Sequence, residues 1–123
     1  MKLRVLIVDD AKVLRLMVAS ILKKVDSVAV IDQATNGLEG LIKVQKHSYD
    51  LIITDLNMPN MDGLEFVLQI RKTPLNKFVK ICVLSGETDI EKEKEVRKAG
   101  ASAYFIKPFD PKVLLKAFKK LLH

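Results

Sequence analysis

Five short apolar runs alternate with five amphipathic segments along the chain, and this alternation restricts the fold more than any other feature. The apolar runs are continuous, which is typical of strands that are buried on both faces. Strictly alternating strands and helices favour a parallel sheet with helices on both sides. The sequence therefore predicts an α/β domain with a doubly wound, five-stranded parallel sheet and five helices.

Turn and cap residues mark the boundaries of these elements. Asp10 is predicted to N-cap the first helix, and Asp110 followed by Pro111 to open the fifth. Gly100 is predicted to end the fourth helix. The connections are short, so residues 1–123 are predicted to form one domain. The predicted strands are 3–8, 28–31, 51–54, 79–84 and 103–106, and the predicted helices are 11–24, 38–46, 64–72, 89–99 and one that begins at Pro111.

The apolar spacing within each helix predicts the side that faces the sheet. These stripes are interpreted as packing surfaces rather than as sites of chemistry. The expected inward residues are Leu14, Met17, Val18 and Ile21 in the first helix, Leu38, Leu41, Ile42 and Gln45 in the second, Phe66, Val67 and Ile70 in the third, and Leu114, Ala117, Phe118 and Leu121 in the fifth.

Composition excludes several classes of protein. Hydrophobic residues make up 49% of the chain, which is typical of a globular protein. No apolar run approaches the roughly 20 residues that span a bilayer, so no membrane insertion is expected. The only cysteine, Cys82, lies in an apolar run and is expected to be a buried thiol in a cytoplasmic protein. The net charge of +6 comes from scattered lysines, which indicate a solvated basic surface without direct nucleic-acid contact.

Polar residues follow four of the five predicted strands. Asp9 and Asp10 follow the first, Asp55 the third, Ser85 the fourth and Lys107 the fifth. In open α/β sheets the carboxyl ends of the strands form the edge where ligands bind. Each residue taken alone has a simpler structural interpretation, such as a loop cap or a solvated lysine. If the strands lie side by side, however, these residues share one pocket.

Such a pocket predicts phosphoryl chemistry with a metal ion. Two carboxylates at about 4 Å repel each other by roughly 4 kcal/mol at an effective dielectric constant near 20, so positive charge is needed. Lys107 supplies one charge, and the all-oxygen donor set favours Mg²⁺. A carboxylate can act as a nucleophile and form an aspartyl phosphate. Lys107 and Ser85 can then donate to the phosphoryl oxygens.

Several motifs occur at these strand ends in a characteristic order. They are Val5-Leu6-Ile7-Val8-Asp9-Asp10, Ala34-Thr35-Asn36-Gly37, Asp55-Leu56-Asn57-Met58-Pro59, Met61-Asp62-Gly63, Leu84-Ser85-Gly86, and Gly100-Ala101 leading to Lys107-Pro108-Phe109. Together they resemble, over the full length of the chain, the receiver domain of two-component response regulators, and within that family the single-domain CheY type. The resemblance implies a single receiver domain over residues 1–123, with the flavodoxin-like, CheY-like strand order 2-1-3-4-5.

The resemblance also implies a role for each residue at the acidic edge. Asp55 looks like the phosphoacceptor. Asp9 and Asp10 look like the acidic pair that holds Mg²⁺, Asp10 directly and Asp9 through water, and Asp55 and the backbone carbonyl of Asn57 complete the metal ligands. Lys107 is expected to bind the phosphoryl group, with a cis bond to the proline that follows it.

The resemblance also implies which residues transmit the signal and which set the rate of dephosphorylation. Ser85 is expected to move its hydroxyl to the phosphoryl oxygen. Tyr104 stands at the position of the switch aromatic residue, three residues before Lys107. Asn57 and Glu87 occupy positions that tune dephosphorylation in the family.

The implied function is a signalling switch that accepts a phosphoryl group from a histidine kinase. It is expected to catalyse only its own phosphorylation and autodephosphorylation. Output is expected by protein–protein contact, to a chemotaxis-type target such as a flagellar motor switch protein. A phosphorelay shuttle, or the isolated receiver of a DNA-binding response regulator, is compatible with the same motifs.

Two interpretations from other classes account for less of the sequence. A phosphatase of the haloacid dehalogenase type also uses a strand-end Asp with Mg²⁺, but it carries a second Asp two residues later, where this chain has Asn57. The chain also lacks room for a cap domain. A basic nucleic-acid binder gives no account of Asp9, Asp10 and Asp55.

Overall fold

A five-stranded parallel sheet forms the centre of the molecule, in the order β2-β1-β3-β4-β5, and this confirms the predicted fold class and strand order. The computed structural model describes residues 2–86 and 88–123. The elements are β1 Leu3–Val8, α1 Lys12–Leu22, β2 Val28–Ala34, α2 Gly37–Lys46, β3 Leu51–Asp55, α3 Gly63–Ile70, β4 Lys80–Ser85, α4 Ile90–Ala99, β5 Ala103–Ile106 and α5 Pro111–Leu122.

Both faces of the sheet are covered by helices, so the central strands are buried on both sides. Side chains alternate along β3: Ile52 joins the hydrophobic cluster beneath α2, α3 and α4, and Ile53 joins the cluster beneath α1 and α5. Phe66 of α3 and Phe118 of α5 are fully buried in these two clusters. The continuous apolar runs are therefore buried strands, as predicted.

Strand β2 runs to Ala34, three residues beyond the predicted end at Ile31. The prediction stopped at Asp32 because polar residues seldom occupy a buried strand. β2 is an edge strand, however, and there the carboxylate finds partners. Oδ2 of Asp32 accepts hydrogen bonds from Arg4 Nε at 3.0 Å and from the Tyr49 hydroxyl at 2.8 Å.

Helix α1 differs from the prediction in its cap and in its inner face. Asp10 does not cap it; the N-cap residue is Ala11, without a side-chain cap bond. The preceding carboxylate, that of Asp9, instead accepts a hydrogen bond from the Ala11 backbone N–H at 2.8 Å. Val18 is buried as predicted, but Met17 is 46% exposed, because the helix is rotated so that Leu22 packs into the core in its place.

Helix α2 packs through its glycines, and of the predicted inward residues only Leu41 packs against the core. Leu38 and Ile42 are 48% and 54% exposed. A Cβ on Gly40 would lie 2.8 Å from Cζ of Phe66, so the absence of a side chain allows α2 to approach α3 closely. Leu38 and Ile42 therefore face solvent, while the side of the helix that carries Gly37 and Gly40 packs inward.

The remaining helices follow the predictions closely. Asp110 caps α5 by accepting a hydrogen bond from the Lys112 N–H, with Pro111 in the first turn. Gly100 ends α4 with a φ of 127°, a conformation that glycine adopts without strain. Within the described ranges, no helix combines the length and apolar character needed to cross a bilayer.

Candidate functional site

The carboxyl ends of four neighbouring strands bring the predicted polar residues to one edge of the sheet. Asp9 directly follows β1, Asp55 ends β3, Ser85 ends β4, and Lys107 directly follows β5. The order β1-β3-β4-β5 places these strands side by side. The Lys107 backbone N–H donates to the Ser85 carbonyl at 2.8 Å, which ties the last two strand ends together.

The ammonium group of Lys107 bridges two carboxylates. Its Nζ lies 3.1 Å from Oδ1 of Asp55 and 3.3 Å from Oδ2 of Asp9. The side chains of Lys107, Asp55 and Asp9 are 24%, 9% and 5% exposed. Because these ion pairs are largely shielded from water, they are stronger than pairs on an open surface.

A third acid completes the cluster at its solvent side. Carboxylate oxygens of Asp9, Asp10 and Asp55 all lie within 4.8 Å of one another, and Asp10 is exposed. Burial raises the pKa of Asp9 above its usual value, and the charge of Asp55 adds to this rise. The Ala11 N–H and Lys107 act in the opposite direction. Three carboxylic acid groups thus face one lysine, and a cation at the mouth of the cluster would offset the repulsion between them.

The loop after β3 holds Asp55 in place. The Leu56 N–H donates to Oδ1 of Asp55 at 2.8 Å, and the Gly63 N–H donates to the Leu56 carbonyl at 2.6 Å. A Cβ on Gly63 would lie 2.5 Å from the Asp55 carbonyl oxygen and 2.7 Å from Cα of Leu56. The loop can therefore fold back beneath Asp55 only with glycine at this position.

Arg15 supports the site and was missed in the sequence. Its Nη1 donates to the Asp9 carbonyl at 2.7 Å, and its Nε donates to Oε1 of Gln33 at 3.0 Å. It therefore links the end of β1 to β2 through α1. A cation in the first turns of a helix is disfavoured by the macrodipole, and this was the signal that could have identified it.

The implied switch residues lie on one face of the sheet. Tyr104 pairs in register with Val83, and Ser85 lies two residues further along β4. Side chains two residues apart share a face, so Ser85 and Tyr104 point to the same side. Ser85 is fully buried and Tyr104 is 8% exposed, so a movement of either must displace its neighbours.

The resemblance also implies features at Asn57, at the Lys107–Pro108 bond and at Glu87. Asn57 lies in the loop two residues after Asp55, with its side chain exposed. The Lys107–Pro108 peptide bond is cis, as expected. Glu87 lies outside the described residues.

A doubly wound parallel sheet with an acidic cluster and a bridging lysine at its carboxyl edge defines a class of α/β domain built to bind anions together with a cation. The chain matches the response regulator receiver domain over residues 5–119, and it belongs to that family. This membership accounts for all three acids and favours the receiver over the phosphatase and nucleic-acid interpretations.

Similar proteins support the same assignment. The chain is 33% identical over 120 residues to the chemotaxis protein CheY of Bacillus subtilis, covering 98% of each chain. It is also 33% identical to the gliding motility regulatory protein of Myxococcus xanthus, but it spans only 15% of that protein's length. Among solved structures, the chemotaxis response regulator CheY4 of Vibrio cholerae matches with a TM-score of 0.89 and 40% identity, covering 99% of this chain and all of that one.

Proposed function

We propose that this receiver domain is a phosphorylation-activated switch of the chemotaxis type, which accepts a phosphoryl group on Asp55 from a histidine kinase in the presence of Mg²⁺. The observation that supports this most strongly is the arrangement around one carboxylate. Asp55 is 7% exposed, its Oδ1 lies 3.1 Å from the Lys107 ammonium, and two further acids lie beside it.

The donor set of the acidic cluster fits Mg²⁺. Asp9, Asp10 and Asp55 offer only hard oxygen ligands, and Mg²⁺ usually takes one or two carboxylates together with waters and phosphate oxygens. We assign Asp10 and Asp55 as direct ligands, Asp9 as a ligand through water, and the Asn57 backbone carbonyl as the remaining protein ligand. When bound, Mg²⁺ would neutralise charge on the phosphoryl oxygens.

Asp55 and Lys107 have different roles in the proposed phosphoryl transfer. An oxygen of Asp55 attacks the phosphorus of phosphohistidine in line; the new O–P bond forms as the P–N bond breaks, and the leaving imidazole takes a proton from water. Lys107 donates to a phosphoryl oxygen and balances its charge. We expect no turnover of other substrates, because Asn57 stands two residues after Asp55, where a phosphatase of the haloacid dehalogenase type carries a second Asp.

Signal output is proposed to pass from Ser85 to Tyr104. The new phosphoryl group adds about −1.5 to −2 charge and draws the Ser85 hydroxyl toward it. Ser85 and Tyr104 share a buried face of the sheet, so movement of the Ser85 hydroxyl changes the packing around Tyr104. The surface formed by α4, β5 and α5 then changes shape.

An apolar groove between α1 and the start of α5 supports docking of the kinase. It has a volume of about 430 Å³ and is lined by Val13, Leu16 and Met17 of α1 and by Pro111 of α5. Val13 is 72% exposed and follows Asp10 by three residues in the sequence. A helix bundle packed here would hold its phosphohistidine close to Asp55.

The charges on the output surface favour an acidic target. Acids of α4 pair with cations of the same helix, as Glu93 does with Arg97 at 3.0 Å and Glu91 with Lys94 at 3.7 Å. No ion pair within the described ranges involves the exposed lysines of α5. The basic residues of this helix are Lys112, Lys116, Lys119 and Lys120.

Labelling with acetyl [³²P]phosphate tests the proposed function. We expect Mg²⁺-dependent labelling of the protein, its loss in Asp55→Asn, and normal labelling in the control Asp50→Asn, which removes an exposed acid at the other end of β3. Retained labelling of Asp55→Asn would contradict the assignment.

A further inference from the structure

The loop between α3 and β4 presents an aromatic side chain almost wholly to water. Phe78 is 86% exposed, the highest value among the large hydrophobic residues that are exposed in the described ranges. Leu75, in the same loop, is 49% exposed. Exposed apolar groups that lie together on a soluble protein often mark an interaction site.

The loop is held rigidly from beneath, so this exposure is not a consequence of a loose segment. Nη1 of Arg71 donates hydrogen bonds to the carbonyls on either side of Phe78, at 3.1 Å to Lys77 and 2.7 Å to Val79. Its Nη2 donates to the Gly100 carbonyl at the end of α4. The guanidinium group therefore fixes the backbone that carries Phe78.

A buried amide anchors the same loop on its other side. Asn76 is 1% exposed, and its Nδ2 donates to the carbonyls of Val44 at 2.7 Å and His47 at 2.8 Å. Its Oδ1 accepts from the Tyr49 N–H at 2.8 Å. An anchor residue on a rigid loop loses little conformational entropy on binding, which is the usual design of an interaction hot spot.

The surroundings of Phe78 are concave and basic. One groove of about 410 Å³ is lined by Arg71, Lys77 and Lys80, and a second, of about 300 Å³, lies on the other side between Leu75 and Asp50. The Lys77 ammonium lies 5.6 Å from the centre of the Phe78 ring. Within residues 2–86 and 88–123, neither Lys77 nor Lys80 forms an ion pair.

We propose that the α3–β4 loop is a docking site for an acidic protein segment, with Phe78 as its apolar anchor and Lys77 and Lys80 as its charge partners. The loop precedes β4, whereas Ser85 ends it, so about 20 Å of strand separates the two sites. Binding at this loop is therefore independent of phosphorylation, and it leaves the carboxyl edge of the sheet open to a kinase.

A protein segment fits this surface better than a membrane or a second copy of the chain. The two grooves can accept individual side chains, which a lipid surface does not offer. A second copy carries the same net charge of +6 and would be repelled as well.

Random peptides displayed on phage, selected on the full chain, test the proposal. We expect enriched peptides that combine Asp or Glu with an aliphatic or aromatic residue. A synthetic peptide with an enriched sequence should bind about tenfold more weakly to the Phe78→Ser and Lys77→Glu variants than to the wild-type chain. Ile42→Ser and Lys23→Glu are matched controls for an exposed apolar residue and an exposed lysine elsewhere, and they should bind normally. Saturation with beryllofluoride and Mg²⁺ should leave the affinity unchanged.

Four results would overturn the proposal. The first two are failure to enrich any peptide and equal binding of the peptide to all four variants. The third is a change in peptide affinity of more than about threefold with beryllofluoride. The fourth is Phe78-dependent binding to phosphatidylglycerol vesicles in preference to peptides. Sedimentation of the wild-type chain as a dimer that Phe78→Ser dissociates would assign the loop to self-association instead.

Discussion

The Lys107 ammonium lies 3.1 Å from Oδ1 of Asp55, although 51 residues of intervening sequence separate them, from 56 to 106. It also lies 3.3 Å from Oδ2 of Asp9. One cation therefore screens two nearly buried carboxylates from each other. The same contact competes with any cation that enters the cluster, which couples the position of Lys107 to metal binding.

Lys107→Met is expected to have opposite effects on stability and on metal affinity. Loss of both ion pairs should lower the free energy of unfolding of the metal-free protein by about 1–3 kcal/mol. Removal of a neighbouring positive charge should tighten Mg²⁺ binding by about tenfold. Urea denaturation and calorimetric titration measure the two effects. Lys112→Met, which removes an exposed lysine of α5, is the control and should change neither; weaker Mg²⁺ binding in Lys107→Met would contradict this account.

Gly63→Ala is expected to destabilise the protein by about 2–3 kcal/mol, because the added methyl group would overlap the backbone of the loop beneath Asp55. Gly86→Ala is the matched control, since a Cβ there meets nothing within 4 Å, and it should stay within about 0.5 kcal/mol of wild type. Chemical denaturation of the two variants measures the difference. Equal stabilities would show that the loop can relax around the methyl group.

Ser85→Ala should separate phosphorylation from switching. The variant retains Asp55 and Lys107, so we expect labelling by acetyl phosphate to persist at a reduced rate. Without the hydroxyl, the chemical shifts of Tyr104 should no longer respond to beryllofluoride, whereas Ser85→Thr should respond as wild type does. A full response in Ser85→Ala would exclude Ser85 from the path to Tyr104.

The Cys82 thiol is expected to resist alkylation in the native protein. Burial raises its pKa to about 12, and the thiolate is the reactive form. Because this pKa is raised by folding, the contribution to stability is complete below the unfolded-state pKa of about 8.5 and is lost as the pH rises toward the folded value. Iodoacetamide labelling at pH 8, followed by mass spectrometry, should modify the protein only in denaturant. Rapid labelling of the native protein would show that the strand opens locally.

The sequence predicted the fold and the composition of the acidic edge because both depend on local patterns. Parallel strands must end at a common edge, so Asp9, Asp55 and Lys107 could be placed at that edge from their positions after apolar runs. The strand order that brings them into one pocket came from the resemblance to receiver domains. The face of α2 could not be predicted, because its packing depends on the fit between Gly40 and Phe66, a contact between distant parts of the chain.

Polar contacts between residues far apart in the sequence are harder to predict from local patterns. No role was predicted for Arg15 or Arg71, yet each donates to backbone carbonyls that position a site. Asp10 does not cap α1 because the helix begins one residue later than predicted, with Ala11 at the N-cap position. Phe78 has no polar marker in the sequence, and only its position on a rigid, exposed loop identifies it.

The most direct test of the account is to identify the phosphorylated residue chemically. An aspartyl phosphate is reduced by borohydride to homoserine, and this product can be placed in the sequence by tandem mass spectrometry. After treatment with acetyl phosphate and Mg²⁺, the account predicts homoserine at position 55 and at no other acid of the cluster. Homoserine at position 9 or 10 with an unmodified Asp55 would contradict it.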